Sequence, residues 1–264
     1  MTAIPSPSQA VWHLGPVPIR AYAVLMLLAV LVGMWVTRRR WVARGGERGA
    51  VGDIAAWAVP FGLVGARLYH VATDWRQYFG PGMDPLRALA IWEGGISIWG
   101  AVAGGAVGAW LACRRRGIAL RDFADAVAPG LALGQAIARW GNWFNQELYG
   151  RPTTVPWALE IDPAHRPAGM EAVATYHPAF LYESLWNLGV AGVVVWGERR
   201  FRLGRGRAFA LYAACYTAGR AWIEWLRIDP APHLLGVRFN VWTALLGFGA
   251  AVVYLVVTRK AARE

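Results

Sequence analysis

Lysine is almost missing from this chain: of its 27 basic residues only Lys260 is not arginine. A retinal-type photoreceptor needs a lysine inside its last helix, so Lys260, beyond the last apolar run, excludes that class. Cysteine is scarce as well. Cys113 and Cys215 lie in or beside separate apolar segments, without metal-ligand spacing or a nearby third ligand. That removes a zinc site and a disulfide framework and leaves two structural free thiols; no metal or cofactor is expected. Charge is sparse: 16% of the residues are charged against 56% hydrophobic, with 16 Trp and 31 Gly among 264 residues. Such a composition belongs to a membrane protein rather than a soluble domain. The first 18 residues hold no Lys or Arg. The basic start of a cleavable signal peptide is therefore missing, and the N-terminus is expected to be retained. Neither internal repeats nor low-complexity stretches occur.

Seven apolar stretches have about the ~20 residues that a helix needs to cross a hydrocarbon core. They are approximately 19–37, 52–71, 92–113, 123–142, 178–197, 208–226 and 239–258. The segments after the first, third, fifth and seventh hold 5, 4, 5 and 3 basic residues, whereas the three opposite connections hold 2 each. By the positive-inside rule the N-terminus is expected outside and the C-terminus in the cytoplasm. Topology thus accounts for the net charge of +11, and no nucleic acid is needed as a partner.

Four arginines remain inside or at the ends of the spans: Arg20, Arg67, Arg139 and Arg220. With this topology they are expected in the outer leaflet or near mid-depth. Intramembrane charges usually face the bundle interior or a water-filled cavity, so a shared anion site is expected. The run GQAIARWGNWFNQELYG (134–150) sharpens it. Arg139, Asn142 and Gln146 fall at i, i+3 and i+7, one helical stripe of a guanidinium and two amides that suits a phosphate. Tyr216, Arg220, Glu224 and Arg227 share one face of the sixth span, and the Arg220–Glu224 spacing also permits a plain ion pair.

Elsewhere the sequence shows where helices pack or break. Gly100, Gly104 and Gly108 form a small-residue stripe for close helix packing. Gly94 and Gly95 are expected to break the start of the third span, and a break at membrane depth survives only in protein or along a cavity. The connection 151–177 is rich in proline and long enough for a small external lobe of turns or short strands. His177, Phe180, Tyr182 and Glu183 stand at the outer boundary of the fifth span; Glu183, inside an apolar run, calls for a partner.

Taken together, Arg20 with Tyr22, GARLY (65–69), WEGGISI (92–98), Asp125, RWGNWFNQELYG (139–150), HPAFLYES (177–184) and YTAGRAWIEWLR (216–227) resemble the prolipoprotein diacylglyceryl transferase family. The motifs cover most of the chain in the family's order. The resemblance implies an all-α integral membrane protein of seven spans, a single catalytic domain over 1–264 with the lobe 151–177 within it. It would sit in the bacterial plasma membrane with its site open to the outer leaflet. It implies transfer of a diacylglyceryl group from phosphatidylglycerol to the thiol of a lipobox cysteine in a prolipoprotein, leaving glycerol phosphate. By motif, Tyr22, Arg139, Asn142, Glu147, Gly150, Tyr216, Arg220 and Glu224 carry over as site residues, Arg139 being the foremost phospholipid-binding position.

The chemistry fits the residues. Arg139 and Arg220 can fork phosphate oxygens and stabilise the charge that the leaving group gains. Asn142 and Asn145 would orient the headgroup, Glu147 would bond its glycerol hydroxyls or hold an arginine, and Gly94 and Gly95 would wall a lateral gap. One departure from the family is Trp99, where many members have a histidine. Indole only donates, so either another group is the base or a field of arginines lowers the pKa of the incoming thiol enough. A second difference is His70 after Tyr69, which could supply an imidazole near the outer surface. The competing reading, a transporter or binding protein for an anionic solute or lipid, would be expected to show paired halves, which these spans lack.

Overall fold

A computed structural model describes residues 3–260. Helix forms wherever the sequence stays apolar for about five turns. The elements run β1 (Val11–Leu14), β2 (Val17–Arg20), α1 (Ala21–Ala43), α2 (Ala50–Thr73), the single turn α3 (Arg76–Phe79), α4 (Ile98–Arg115) and α5 (Leu120–Phe144). Then follow β3 (Leu159–Glu160), β4 (Thr175–Tyr176), α6 (Ala179–Phe201), α7 (Arg207–Leu226), β5 (His233–Leu234), β6 (Val237–Arg238) and α8 (Phe239–Lys260). Among the described residues seven long helices lie on the seven apolar stretches. Four of them, α1, α2, α6 and α8, are apolar and long enough to cross a bilayer by length and composition. Of the other three, α5 and α7 carry the buried charges described below.

Two compact units make up the chain: residues up to Thr37 with those from Ala124 onward, and Arg38–Phe123. In the first, α1 and α5 meet at glycine. A Cβ on Gly33 would stand 3.3 Å from the Gly130 carbonyl oxygen, and one on Gly134 3.1 Å from that of Ala29. Such close backbone contact is how helices associate in lipid, where apolar burial by itself gives no drive. The core beyond it joins Ala128 and Ala132 of α5 to Val190 and Val194 of α6 and to Ala208 and Tyr212 of α7. Buried Asp125 accepts from Gly206 N at 2.8 Å and Phe209 N at 2.9 Å, covering the free amides at the start of α7. The lobe closes over its own cluster of Tyr149, Leu159, Ile161, Tyr176 and Phe180, and Ile4 pairs with Leu159 along its edge.

In the second unit α2 lies against α4 through Gly62, Gly65, Gly100 and Gly104, and a Cβ on Gly104 would come 3.1 Å from Gly65 Cα. The glycine stripe expected of the third span is thus a helix contact. The expected break ahead of it is present too: a short 3₁₀ turn ends at Glu93, Gly94 and Gly95 take φ of 89° and 70°, and α4 begins only at Ile98.

Two expectations about the arginines need correction. Arg20 is not in a helix. Pro16 and Pro18 with β-branched Val17 and Ile19 favour extended backbone, so the start of the first apolar stretch forms the exposed hairpin β1–β2, of which Arg20 is the last residue. Arg67 is buried, but it has no free face for an anion. Its Nε donates to Ala88 O at 2.8 Å, Nη1 to Gly94 O at 2.6 Å and Gly95 O at 2.9 Å, and Nη2 to Arg87 O. The guanidinium satisfies the carbonyls of a broken backbone, including those of both glycines expected to wall a lateral gap, and stacks over Tyr78 at 5.0 Å.

Candidate active site

The expected stripe of Arg139, Asn142 and Gln146 holds for its first two members only. Helix α5 stops at Phe144, and Gln146 takes a left-handed φ of 50°. Its amide turns away from Arg139: Nε2 donates to Asp162 Oδ2 at 2.6 Å and Pro7 O at 3.3 Å, and Oε1 accepts from Asp162 N at 2.8 Å. Gln146 therefore ties the lobe and the N-terminal segment to the helix end. Leaving the helix here lets the chain fold back on itself. Asn142 Nδ2 and Asn145 Nδ2 both donate to Glu147 Oε1, at 2.8 and 3.1 Å, and Arg139 Nη1 reaches Asn142 Oδ1 at 3.4 Å. Arg139, Asn142, Asn145 and Glu147 thus form one hydrogen-bonded relay. A cleft of about 340 Å³ lies beside it, lined by Ser8, Asn145, Glu147, Asp162 and His165 among others.

Glu183 is the partner that Arg139 lacked in the sequence. Its side chain is 5% exposed, and Oε2 stands 2.7 Å from Arg139 Nε and 3.7 Å from Arg220 Nη1. One carboxylate from α6 therefore sits between guanidinium groups from α5 and α7. Arg220 Nη2 is also 2.6 Å from Glu224 Oε2, the i,i+4 pair that the spacing permitted. Among the described residues Arg220 Nη1 is buried without a hydrogen-bond partner. A cationic donor in that state is costly unless an acceptor reaches it, and an anion is the acceptor that costs least.

The array continues past Glu224. Arg227 Nη1 lies 3.8 Å from Glu224 Oε2, and Arg238 Nε donates to Oε1 at 2.8 Å. Asp229 takes Arg227 Nε and Nη2 at 2.7 and 2.8 Å and Arg238 Nη2 at 3.1 Å. Burial pushes the Asp229 carboxyl up, but the bonds from Arg227 and the nearby charges outweigh it and hold the group below its ordinary range. In this ion-pair network four guanidiniums, Arg139, Arg220, Arg227 and Arg238, face three carboxylates, Glu183, Glu224 and Asp229. The ion pairs alone leave one positive charge over, and the Glu147 carboxylate, joined to Arg139 through Asn142, offsets it until a ligand enters.

The other expected site residues surround these. Tyr22 on α1 covers Gly141, where a Cβ would come 2.5 Å from its Cδ2. Tyr216 stands one turn before Arg220 and stacks on Tyr212 at 5.8 Å, whose hydroxyl donates to Gln135 Oε1 at 3.1 Å. Gly150 is enclosed: its N–H donates to His177 O at 2.9 Å, and a Cβ there would be 2.8 Å from His177 Cβ. His177 in turn has Nδ1 3.0 Å from the Tyr182 hydroxyl, which accepts from Trp157 Nε1 at 2.9 Å. The indole only donates, so the Tyr182 hydroxyl accepts there, and which of the hydroxyl and the imidazole donates to the other follows the histidine tautomer. Burial lowers the affinity of His177 for a second proton.

The sequence profile described as prolipoprotein diacylglyceryl transferase matches residues 9–257. The chain belongs to this family. It is 63% identical over 255 residues to the phosphatidylglycerol–prolipoprotein diacylglyceryl transferase 2 of Streptomyces coelicolor, covering 97% of this chain and 80% of the relative. A Streptomyces griseus relative of the same enzyme name is 62% identical, with 97% and 78% covered, and one from Rhodococcus jostii 55%, with 97% and 75%. Together with the four long apolar helices, membership makes the chain a multi-pass membrane protein. Within the diacylglyceryl transferase motifs, RWGNWFNQE supplies the relay, HPAFLYES the shared carboxylate and GRAWIEWLR the second guanidinium with its pair. Sequence reasoning missed Asp229, Arg238 and Asn240, because Arg238 reads as one more loop charge until the hairpin β5–β6 folds it back over Glu224.

Proposed function

We propose that this chain transfers the diacylglyceryl group of phosphatidylglycerol to the thiol of a lipobox cysteine in a prolipoprotein. The observation that carries the reading is the pair Arg139 and Arg220 held on the shared carboxylate of Glu183, with Arg220 Nη1 short of an acceptor. In the reaction the sulfur attacks the glycerol carbon that bears the phosphodiester. A carbon–sulfur bond forms, the carbon–oxygen bond breaks, and its electron pair leaves on glycerol phosphate while the thiol proton goes to water. Negative charge grows on the departing phosphate, so fixed guanidinium donors there stabilise the transition state more than the bound lipid.

Arg139 binds the phosphate together with Asn142, while Asn145 and Glu147 meet the headgroup hydroxyls. Arg220, kept in register by Glu224, follows the oxygen that gains charge. Tyr22 and Tyr216 flank the reacting carbon, and Gly150 lets the lobe close against the end of α7. With Trp99 unable to accept a proton, the field of several guanidiniums favours thiolate in the incoming peptide. The chain crosses the plasma membrane seven times as a single catalytic domain. The N-terminus and the lobe 151–177 face outward and the C-terminus is cytoplasmic, which puts this chemistry at the outer leaflet, where both substrates are held.

Purified protein incubated with phosphatidylglycerol and a lipobox peptide is expected to release glycerol phosphate and to yield a peptide heavier by one diacylglyceryl group. Arg139→Ala and Arg220→Ala are each expected to abolish both signals. Normal transfer by Arg220→Ala in membranes would sink the two-cation account. Retention of the lipid without any product would favour a carrier for anionic solutes.

A further inference from the structure

Glu224 has no exposed side-chain surface, and its two oxygens face different partners. Oε2 lies 2.6 Å from Arg220 Nη2, whereas Oε1 accepts from Arg238 Nε at 2.8 Å and from Asn240 Nδ2 at 3.1 Å. Arg238 is fixed in its turn. Its Nη1 donates to the Asp229 carbonyl at 2.7 Å and its Nη2 to Asp229 Oδ2 at 3.1 Å. It is the last residue of a hairpin whose two-residue turn, Leu235–Gly236, has φ of 53° and 75°, the left-handed pair that a tight antiparallel turn requires.

The terminal torsion of a glutamate is soft, so a carboxylate held on one side can swing and present both oxygens to a neighbouring guanidinium as a fork. One held on both sides cannot. We infer that Arg238, assisted by Asn240, is a positioning residue for Arg220: by occupying Oε1 it confines Arg220 to the single oxygen Oε2 and leaves Nη1, 3.7 Å from Glu183 Oε2 and without a hydrogen bond, to donate to the departing phosphate. This inference rests on the transferase reading above. Without Arg238, Glu224 turns, takes both terminal nitrogens of Arg220, and withdraws from the leaving group the donor that matters when charge develops. Binding of the ground-state lipid by Arg139 and Asn142 is unaffected. The consequence is a loss in kcat with KM for phosphatidylglycerol preserved, which a merely structural role does not produce.

The test is steady-state kinetics on the purified full chain with phosphatidylglycerol and a lipobox peptide. Arg238→Gln is expected to lower kcat at least about tenfold, the scale of one charge-assisted hydrogen bond, with KM within about twofold of wild type. Arg238→Lys restores part of the loss. The deciding measurement is a double-mutant cycle: in an Arg220→Lys background, Arg238→Gln adds little further loss if it acts through Arg220. Multiplying losses, or an unchanged kcat in Arg238→Gln, overturn the inference. Should Arg238→Gln not accumulate as folded protein, Asn240→Ala weakens the same oxygen's anchorage and is expected to lower kcat about threefold at constant KM; no change there is equally fatal. A wild-type protein that releases no glycerol phosphate overturns the transferase reading and this one with it. A working wild type with independent losses overturns this one alone.

Discussion

Glu183→Gln is the substitution that most directly probes how the two guanidiniums are held. Glutamine keeps the volume and one acceptor oxygen but removes the charge lying 2.7 Å from Arg139 Nε and 3.7 Å from Arg220 Nη1. Deleting one partner of a buried ion pair costs about 3–5 kcal/mol, because the remaining charge stays unneutralised. Arg139 and Arg220 keep 20% and 18% of their side-chain surface, so solvent screens part of that and the lower end, about 3 kcal/mol, applies. The two cations then repel and move apart. If the whole cost falls on the reactive arrangement, kcat/KM drops by roughly 100-fold, at about 1.4 kcal/mol per factor of ten. Glu183→Asp restores charge at the wrong reach and should lie between. The assay is transfer of labelled diacylglyceryl to a lipobox peptide by protein whose melting in detergent shows it folded. Activity of folded Glu183→Gln within about threefold of wild type would refute the reasoning, since one shared carboxylate could not then be what aligns both arginines.

Three further outcomes are expected. Arg67→Lys replaces a planar fork spread over four carbonyls by one ammonium and should cost about 2–4 kcal/mol of stability, read as a lower melting temperature in detergent; an unchanged melt would mean that the 87–95 segment is held otherwise. Gly141→Ala brings a methyl to 2.5 Å from Tyr22 Cδ2 and must displace that ring, so transfer should fall by about tenfold while the protein stays folded. Asp229 has its carboxyl held below the ordinary range, so the stability it contributes is complete above the unfolded value near ~3.9 and lost as pH falls through the lower folded one. Asp229→Asn should accordingly lower stability at neutral pH and flatten the acid limb of a melting-versus-pH curve below about pH 4, and an acid limb unchanged by the substitution would contradict that assignment.

Much of the helical layout was legible in the sequence, since hydropathy over some twenty residues acts locally. The seven long helices fall on the seven apolar stretches, and the breaking glycines of WEGGISI were readable because left-handed backbone is a property of single residues. The site was legible in part. RWGNWFNQE announced a polar run that lipid would not tolerate, and Arg220 with Glu224 lie one helical turn apart. Where the reading failed, a longer-range contact had decided. Gln146 looked like a third member of the stripe until the helix ended two residues earlier and the lobe claimed its amide. Arg67 looked like an anion ligand until four backbone carbonyls closed around it.

The division follows the range of the forces. Sequence alone determined which segments are helical, which connections are basic and which residue types can meet a phosphate, because hydrophobicity, helix spacing and side-chain chemistry are carried by neighbours along the chain. Only the tertiary structure decided which charge neutralises which. Glu183 reaches Arg139 across 44 positions and Arg238 reaches Glu224 across 14, and an ion pair in low dielectric is set by distances of a few ångströms that no stretch of sequence contains.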